Sequence, residues 1–288
     1  MPNLKEIKSR ITSVKSTIQI TSAMKMVSAA KLKKAQDAII QLRPYSNKLT
    51  EIMSSVSSAS EDSSQNKYSE LRENNKILLV PITSNRGLCG GFNANVIKKT
   101  IEIEKELNSN SELTILSIGK KSSEFFKKNK YNVHSTHDDV FQDVSYEEVS
   151  KIAGLILNDF ANEKFDKVIL VYNQFKNAAT QIVMQEDFLP LNKTQSENSK
   201  EAVDYIYEPG KDEILNELIP KSLKTQIFKA ILDSNASEHG ARMTAMHKAT
   251  DNATELKNEL TLSYNKARQA AITGEILEIV GGAEALNG

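Results

Sequence analysis

No glycine occurs before position 87, and between Asn3 and Val56 the one residue that opposes a helix is Pro44. After Pro220 there is no further proline. A long stretch free of both breakers has little to stop it once a helix has started. The pattern predicts two long helical ends bracketing a different middle segment, a rod with a globe attached. Composition agrees, because 39% hydrophobic and 6% aromatic residues, with no Trp, are low for one large globule. Slender helices bury little, and such rods transmit position or force more often than they perform chemistry.

The two ends share a heptad rhythm. Leu4, Ile7, Ile11, Val14 and Ile18 are spaced 3-4-3-4, the seam of a helix wound on a partner. The seam is expected to slip where Lys25 falls, with Ile20, Met24 and Val27 as a shifted stripe. It would resume at Ala38, Leu42, Tyr45, Leu49, Ile52 and Val56. At the other end Ala249, Ala253, Leu256, Leu260, Ser263, Ala267, Ala270, Gly274, Leu277 and Gly281 keep the same spacing. Leu223, Ile227, Ala230 and Ser234 are expected to begin that helix. Each seam needs cover, and the opposite end of the same chain supplies it if the helices run antiparallel. At about 1.5 Å per residue they would span about 80 and about 100 Å. That count places Met1 near Leu277 and leaves roughly ten C-terminal residues, rich in Ile, Val and small side chains, unpaired. A bare apolar tip calls for a second protein around it, unless the end simply frays.

The domain boundaries that follow are an N-terminal coiled-coil helix over residues 1–56 and a Ser- and Asn-rich linker over 57–75. An α/β domain over 76–210 and a C-terminal coiled-coil helix over 211–288 complete the chain. Residues 76–82 (KILLVPI), 113–118 (LTILSI) and 167–172 (KVILVY) read as buried strands. Helices are expected over 93–107, 120–128 and 145–162, with an edge or antiparallel strand over 179–188 and another strand over 202–207. Strand–helix alternation points to a mainly parallel, Rossmann-like sheet flanked by helices.

Little here suggests catalysis. Residues 83–93 (TSNRGLCGGFN) follow a strand and precede a helix, where a phosphate loop would sit. The glycine spacing is not the dinucleotide fingerprint, and no Gly-Lys-Ser/Thr follows. A tight turn presenting Arg86 is the plainer reading. Cys89 has no supporting histidine signature and is read as a buried, inert thiol. His134 and His137 are placed in a polar loop, and His239 and His247 on the surface of the long helix; none has metal-ligand company. No cofactor or metal is implied. One cysteine excludes an internal disulfide and suits a reducing compartment.

Charge is balanced at 37 basic and 37 acidic residues, which argues against a general preference for nucleic acid or acidic lipid. The bias is local. Residues 1–48 hold ten Lys and Arg against Glu6 and Asp37, a net of about +8. Such a collar is either a solvated face or a complement to an acidic element on a partner protein. No run approaches the roughly 18 apolar residues of a membrane span.

Several motifs together resemble the gamma subunit of F-type ATP synthases. They are Ala23-Met24-Lys25-Met26-Val27 within the opening helix, Arg43-Pro44-Tyr45, residues 84–93 (SNRGLCGGFN) and residues 204–209 (DYIYEP). Residues 236–252 (ASEHGARMTAMHKATDN) and 264–282 (YNKARQAAITGEILEIVGG) carry the strongest likeness, and the order runs end to end. The resemblance implies a non-catalytic rotor shaft inside a hexamer of alternating alpha and beta subunits. Its foot would rest against epsilon and the membrane ring of c subunits, so membrane association would be indirect. ATP chemistry would belong to the beta subunits. It also implies partner contacts at Met24 and Lys25 beside the beta levers, at Arg242, and at Arg268, Gln269 and Thr273 with Glu275 higher on the shaft. Tyr205 and Tyr207 match the foot near the c ring, and Arg86 lies in the central turn. The cysteine pair of the chloroplast redox insert is absent, and no transit peptide precedes the match. Both features favour a bacterial protein on the cytoplasmic face of the plasma membrane.

Overall fold

The computed structural model describes residues 4–58, 67–70, 72, 75–107, 111–142, 144–191 and 210–287. The expected strand over 202–207 lies outside them. The chain divides into two compact units, one formed by residues up to Ser28 with those from Met243 onward, the other by Ala29–Arg242. Two long helices serve both: α1 (Leu4–Ser58) and α5 (Lys211–Asn287).

In the first unit α1 turns Leu4, Ile7, Ile11, Val14, Ile18, Thr21, Lys25 and Ser28 inward, a 3-4 alternation without a break. The expected slip at Lys25 does not occur. Ile20 and Val27 are instead 60% and 57% exposed, and Lys25 occupies the seam, where its methylene stem can lie along a neighbour. On α5 the inward residues are Met246, Thr250, Ala253, Lys257, Leu260, Tyr264, Ala267 and Gly274. Half of the expected seam is therefore corrected: Leu256, Ser263, Ala270, Leu277 and Gly281 face solvent.

Thr250 donates a hydrogen bond to Thr21 across the seam at 2.8 Å. Within this unit the buried side of Leu4–Ile18 can be covered only by α5 residues beyond Thr250, so the helices run antiparallel. Seventeen residues back from Thr21 and seventeen forward from Thr250 bring Leu4 level with Ala267. The sequence count would put Leu4 level with Gly274, so the overhang begins about seven residues earlier than expected. From Glu275 to Ala285 every residue is exposed.

The second unit is built on a five-stranded sheet in the order β3-β2-β1-β4-β5. Its strands are β1 (Lys76–Pro81), β2 (Glu112–Ile118), β3 (Val133–His137), β4 (Lys167–Phe175) and β5 (Gln181–Leu189). The first four pair in parallel and β5 runs antiparallel to β4. Between them lie α2 (Phe92–Glu106), α3 (Lys120–Lys128) and α4 (Tyr146–Ala161). Alternate strand residues serve opposite faces. Ile77, Leu79, Ile169 and Val171 pack with Val96 and Ile103 of α2. Leu78, Val80, Ile82, Leu116, Ile118, Val168 and Leu170 form the larger core with α4 and with Leu215, Ile219, Leu223, Ile227 and Ala230 of α5. Each buried aliphatic side chain contributes about 1.5–3 kcal/mol. That density of apolar contacts explains why α5 begins well upstream of Leu223 and tolerates Pro220 inside it. Pro44 is likewise internal to α1. There the carbonyl left unpaired belongs to Ile40, which is 61% exposed and open to water.

Local signals set the element ends. Ser145 caps α4 by accepting from the Glu148 amide at 3.3 Å, half of a capping box. Gly119, at φ 97°, joins β2 to α3, and a Cβ there would collide with the Thr83 carbonyl. Only glycine fits. The polar-loop reading of His134 and His137 is corrected, because both lie on the edge strand β3. The segment VHSTH has no strand-like alternation of its own and is held by its pairing with β2. His134 Nε2 lies 2.9 Å from Asp159 Oδ2, and His137 Nε2 lies 3.1 Å from Ser135 Oγ.

Candidate functional site

The glycine-bearing turn between β1 and α2 is held by a dense set of hydrogen bonds. Its residues hold one another first. The Ser84 amide donates to Asn93 Oδ1 at 2.9 Å, Ser84 Oγ donates to the Arg86 carbonyl at 2.7 Å, and Asn93 Nδ2 donates to Ser84 Oγ at 2.8 Å. Asn85 bridges outward, donating to the Asp138 carbonyl at 2.5 Å and accepting from the Lys120 amide at 3.0 Å. Cys89 is 1% exposed beneath the turn, and burial raises its pKa, in keeping with an inert thiol. Leu88 sits at φ 64°, a left-handed conformation that costs a branched side chain energy and persists only where the surroundings enforce it.

Arg242 of α5 enforces it. Its guanidinium donates to the carbonyls of Arg86 (3.1 Å) and Gly87, and to Glu238 Oε1 at 2.6 Å. Arg242 and Glu238 are 8% and 7% exposed. Burial raises the Glu238 pKa, against the lowering effects of Arg242, Lys31 and Arg86. A carboxylate and a guanidinium one helical turn apart form a fork that grips two backbone oxygens at once. The sequence reading singled out Arg242 but missed Glu238. The signal was the i, i+4 spacing within EHGAR.

Arg86 itself points to solvent, as does Leu88, at 67% exposure. Arg86 and Arg242 are thus brought together through the turn backbone, with Arg242 internal and Arg86 at the surface. His239, expected on the helix surface, is largely enclosed and its Nδ1 is buried without a partner. Burial and the nearby Lys31 and Arg242 push its pKa down to about 4. His247 does lie on the surface, 3.3 Å from Asp251.

The other expected contact residues belong to the first unit. Met24 beside the α1 seam and Lys25 within it are half-buried, near the level of His247. Arg268, Gln269, Thr273 and Glu275 are all exposed, and Thr273 Oγ1 donates to the Gln269 carbonyl at 2.9 Å. Some twenty residues of α5 separate the two groups, about 30 Å along the helix axis. Interspersed with the second group are Ile272, Ile276, Leu277, Ile279 and Val280, between 47% and 72% exposed. Apolar surface of that extent on a solvated helix marks an interface. Tyr205 and Tyr207 lie outside the described residues.

Among the described residues no His, Cys, Asp or Glu cluster is suited to a metal, and no helix is long and apolar enough to cross a membrane. The polar atoms of the β1–α2 turn are occupied by one another and by Arg242.

Comparison with known proteins gives a consistent picture. Residues 3–286 match a family model described as ATP synthase. The chain is 60% identical over 288 residues to the ATP synthase gamma chain of Flavobacterium johnsoniae, covering 100% of both chains. It is 58% identical, again over 100% of both, to the ATP synthase gamma chain of Christiangramia forsetii. A chain in the cryo-EM structure of the central stalk and c-ring of Tetrahymena thermophila mitochondrial ATP synthase superposes with a TM-score of 0.59. There the identity is 26%, with 80% of this chain and 99% of that chain covered.

Proposed function

Since the chain belongs to the ATP synthase gamma-chain family, we propose that it is the central-stalk rotor subunit of an F-type ATP synthase. In that role it turns inside the hexamer of alpha and beta subunits and couples ion flow through the c ring to ATP synthesis and hydrolysis on the beta subunits. The observation that carries this reading is the end-to-end identity of 58–60% with curated gamma chains. An antiparallel helix pair with an overhanging apolar end supports it physically. A shaft whose faces differ makes unequal contacts with three otherwise equivalent catalytic subunits, and so shifts each between conformations of different nucleotide affinity.

The finer assignments follow from the same premise. The chain carries no ATP chemistry of its own. It sits peripherally at the cytoplasmic face of a bacterial plasma membrane, held there through the c ring, with epsilon as a further partner. Met24, Lys25, Arg268, Gln269, Thr273 and Glu275 contact the surrounding hexamer, and the exposure of the last four supports that role. Arg86 makes its contact from the braced turn, Arg242 acts by holding that turn, and Tyr205 and Tyr207 serve the foot.

Co-expression tests the proposal. The chain should co-purify in a complex with alpha and beta subunits that hydrolyses ATP, while the chain alone shows no turnover. Isolation only as a nucleic-acid complex, or robust hydrolysis by the chain alone, would overturn it.

A further inference from the structure

Away from the contact surfaces, the second unit contains a cleft of about 220 Å³ where α1, the end of β4 and α5 meet. Its walls are Ile39, Leu42, Phe175 and Leu232. Arg43, Asn47 and Lys229 stand exposed around it, with Gln174 at one side. At its base Asp233 is 4% exposed, yet among the described residues it makes no hydrogen bond and no ion pair.

That carboxylate is out of keeping with the rest of the unit. Glu238, five residues further along α5, is equally enclosed but is gripped by Arg242. The Asp233 oxygens are not among the fully enclosed unpartnered atoms, so they open onto the cleft, where a donor entering it can reach them. Burial raises the Asp233 pKa to about 6 even though Lys229 and Arg43 pull the other way. The two cations therefore influence the carboxylate but stand too far off to bond it. Arg43 and Lys229 also form no ion pair elsewhere among the described residues. Three groups without a bond to another described side chain line one cavity: two donors of positive charge and one acceptor.

A single ligand satisfies all three only if it offers an anion to the cations and an O–H or N–H to the carboxylate. It must also lay an apolar face on Phe175 and Leu42. A lone anion fails the second condition, and a cation is repelled by Arg43 and Lys229. We propose that this cleft binds a small sugar phosphate, with the phosphate between Arg43 and Lys229 and a ring hydroxyl donating to Asp233. The C–H face of the sugar rests on Phe175, and the amides of Asn47 and Gln174 serve the remaining hydroxyls. The volume is roughly that of seven bulk waters, which suits a pentose or hexose monophosphate better than a whole nucleotide.

Calorimetric titration of the full chain at pH 7 tests the site, with ribose 5-phosphate, ribose and inorganic phosphate as probes. Ribose 5-phosphate should bind saturably at one site, inorganic phosphate at least about tenfold more weakly, and ribose without measurable heat. Arg43→Ala and Lys229→Ala, both at exposed positions, should each weaken ribose 5-phosphate about tenfold without altering the melting temperature. Asp233→Leu removes the acceptor and should abolish the preference for the sugar ester over free phosphate. Asp233→Asn, which preserves shape and an acceptor, should retain it. The proposal is overturned by absence of saturable binding, by equal affinity for inorganic phosphate, or by cation variants that bind like the parent.

Discussion

The hydroxyl of Thr250 donates to that of Thr21 at 2.8 Å, and Thr21 donates in turn to the Thr17 carbonyl at 2.9 Å. Thr21 is 8% exposed, so the pair is a polar tie inside a seam of mainly aliphatic and small side chains, with Lys25, Lys257 and Tyr264 among them. Replacing either residue by Val keeps the shape and removes the tie. The cost is at most about 1 kcal/mol, because the remaining hydroxyl keeps a carbonyl one turn back, Thr17 for Thr21 and Met246 for Thr250. Replacing both should recover most of that loss, since two methyl groups pack where two hydroxyls met. Denaturant unfolding of the four proteins of the cycle measures the coupling, and strictly additive losses would show that the tie contributes nothing.

Arg242→Ala should destabilise the second unit by about 3–5 kcal/mol, because Glu238 is left buried with its charge unmatched. The turn around Leu88 should loosen at the same time, read as faster amide exchange over residues 86–91. Adding Glu238→Gln to Arg242→Ala should restore stability in part but leave the turn loose, which separates the charge penalty from the brace. Unchanged exchange in both variants would remove Arg242 from that role.

Two buried groups give opposite pH responses. Asp233 holds its proton up to a pH of about 6 when folded, but releases it near its ordinary 3.8 when unfolded. Its contribution to stability therefore falls as pH rises between those values. His239 behaves in the reverse sense: folded, it stays neutral down to about 4, whereas unfolded it takes a proton near 6.5. Stability from His239 is thus complete above about 6.5 and lost as pH falls toward 4. In the parent the two slopes oppose each other. Asp233→Asn should be more stable than the parent at pH 7 by up to about 3 kcal/mol. Its melting temperature should climb with pH from 4 to 6.5 more steeply than the parent's. An identical pH profile for both proteins would contradict the assignment. Lys229, Arg43 and Glu186 around Asp233, and Lys31 and Arg242 around His239, set the size of each effect.

Arg268 and Gln269 are exposed, and among the described residues their side chains take part in no internal hydrogen bond. Their joint replacement by Ala should leave the melting temperature within about 0.5 kcal/mol equivalent of the parent. In the assembled enzyme it should lower ATP-driven ion pumping severalfold. Pumping at the parental rate would exclude the pair from coupling.

Much of the architecture is legible in the chain, and the failures share a cause. KILLVPI, LTILSI and KVILVY declare strands because runs so apolar are stable only when both faces are covered, and the sheet covers them. The seam of α5 misled because its apolar residues are spread over more than one face. Leu256 and Leu277 look like better seam residues than Lys257 or Tyr264, yet which stripe is buried depends on where α1 lies. Lys25 misled in the same way, since a lysine stem can serve where its charge suggests exclusion. β3 carries no pattern of its own and exists because β2 has an open edge. The Arg86–Arg242 contact joins residues 156 positions apart, a distance at which no local rhythm speaks. Both helices run through Pro44 and Pro220, as expected, because neighbouring turns hold each helix through a single missing bond.

The stretch of α5 from Glu275 to Ala285 keeps its helical form on backbone bonding alone, since every side chain in it is exposed. Helices held only in that way melt from the free end inward, turn by turn. Ellipticity at this end therefore becomes a gauge of engagement: low while the subunit stands alone, and restored once neighbours close around those final turns.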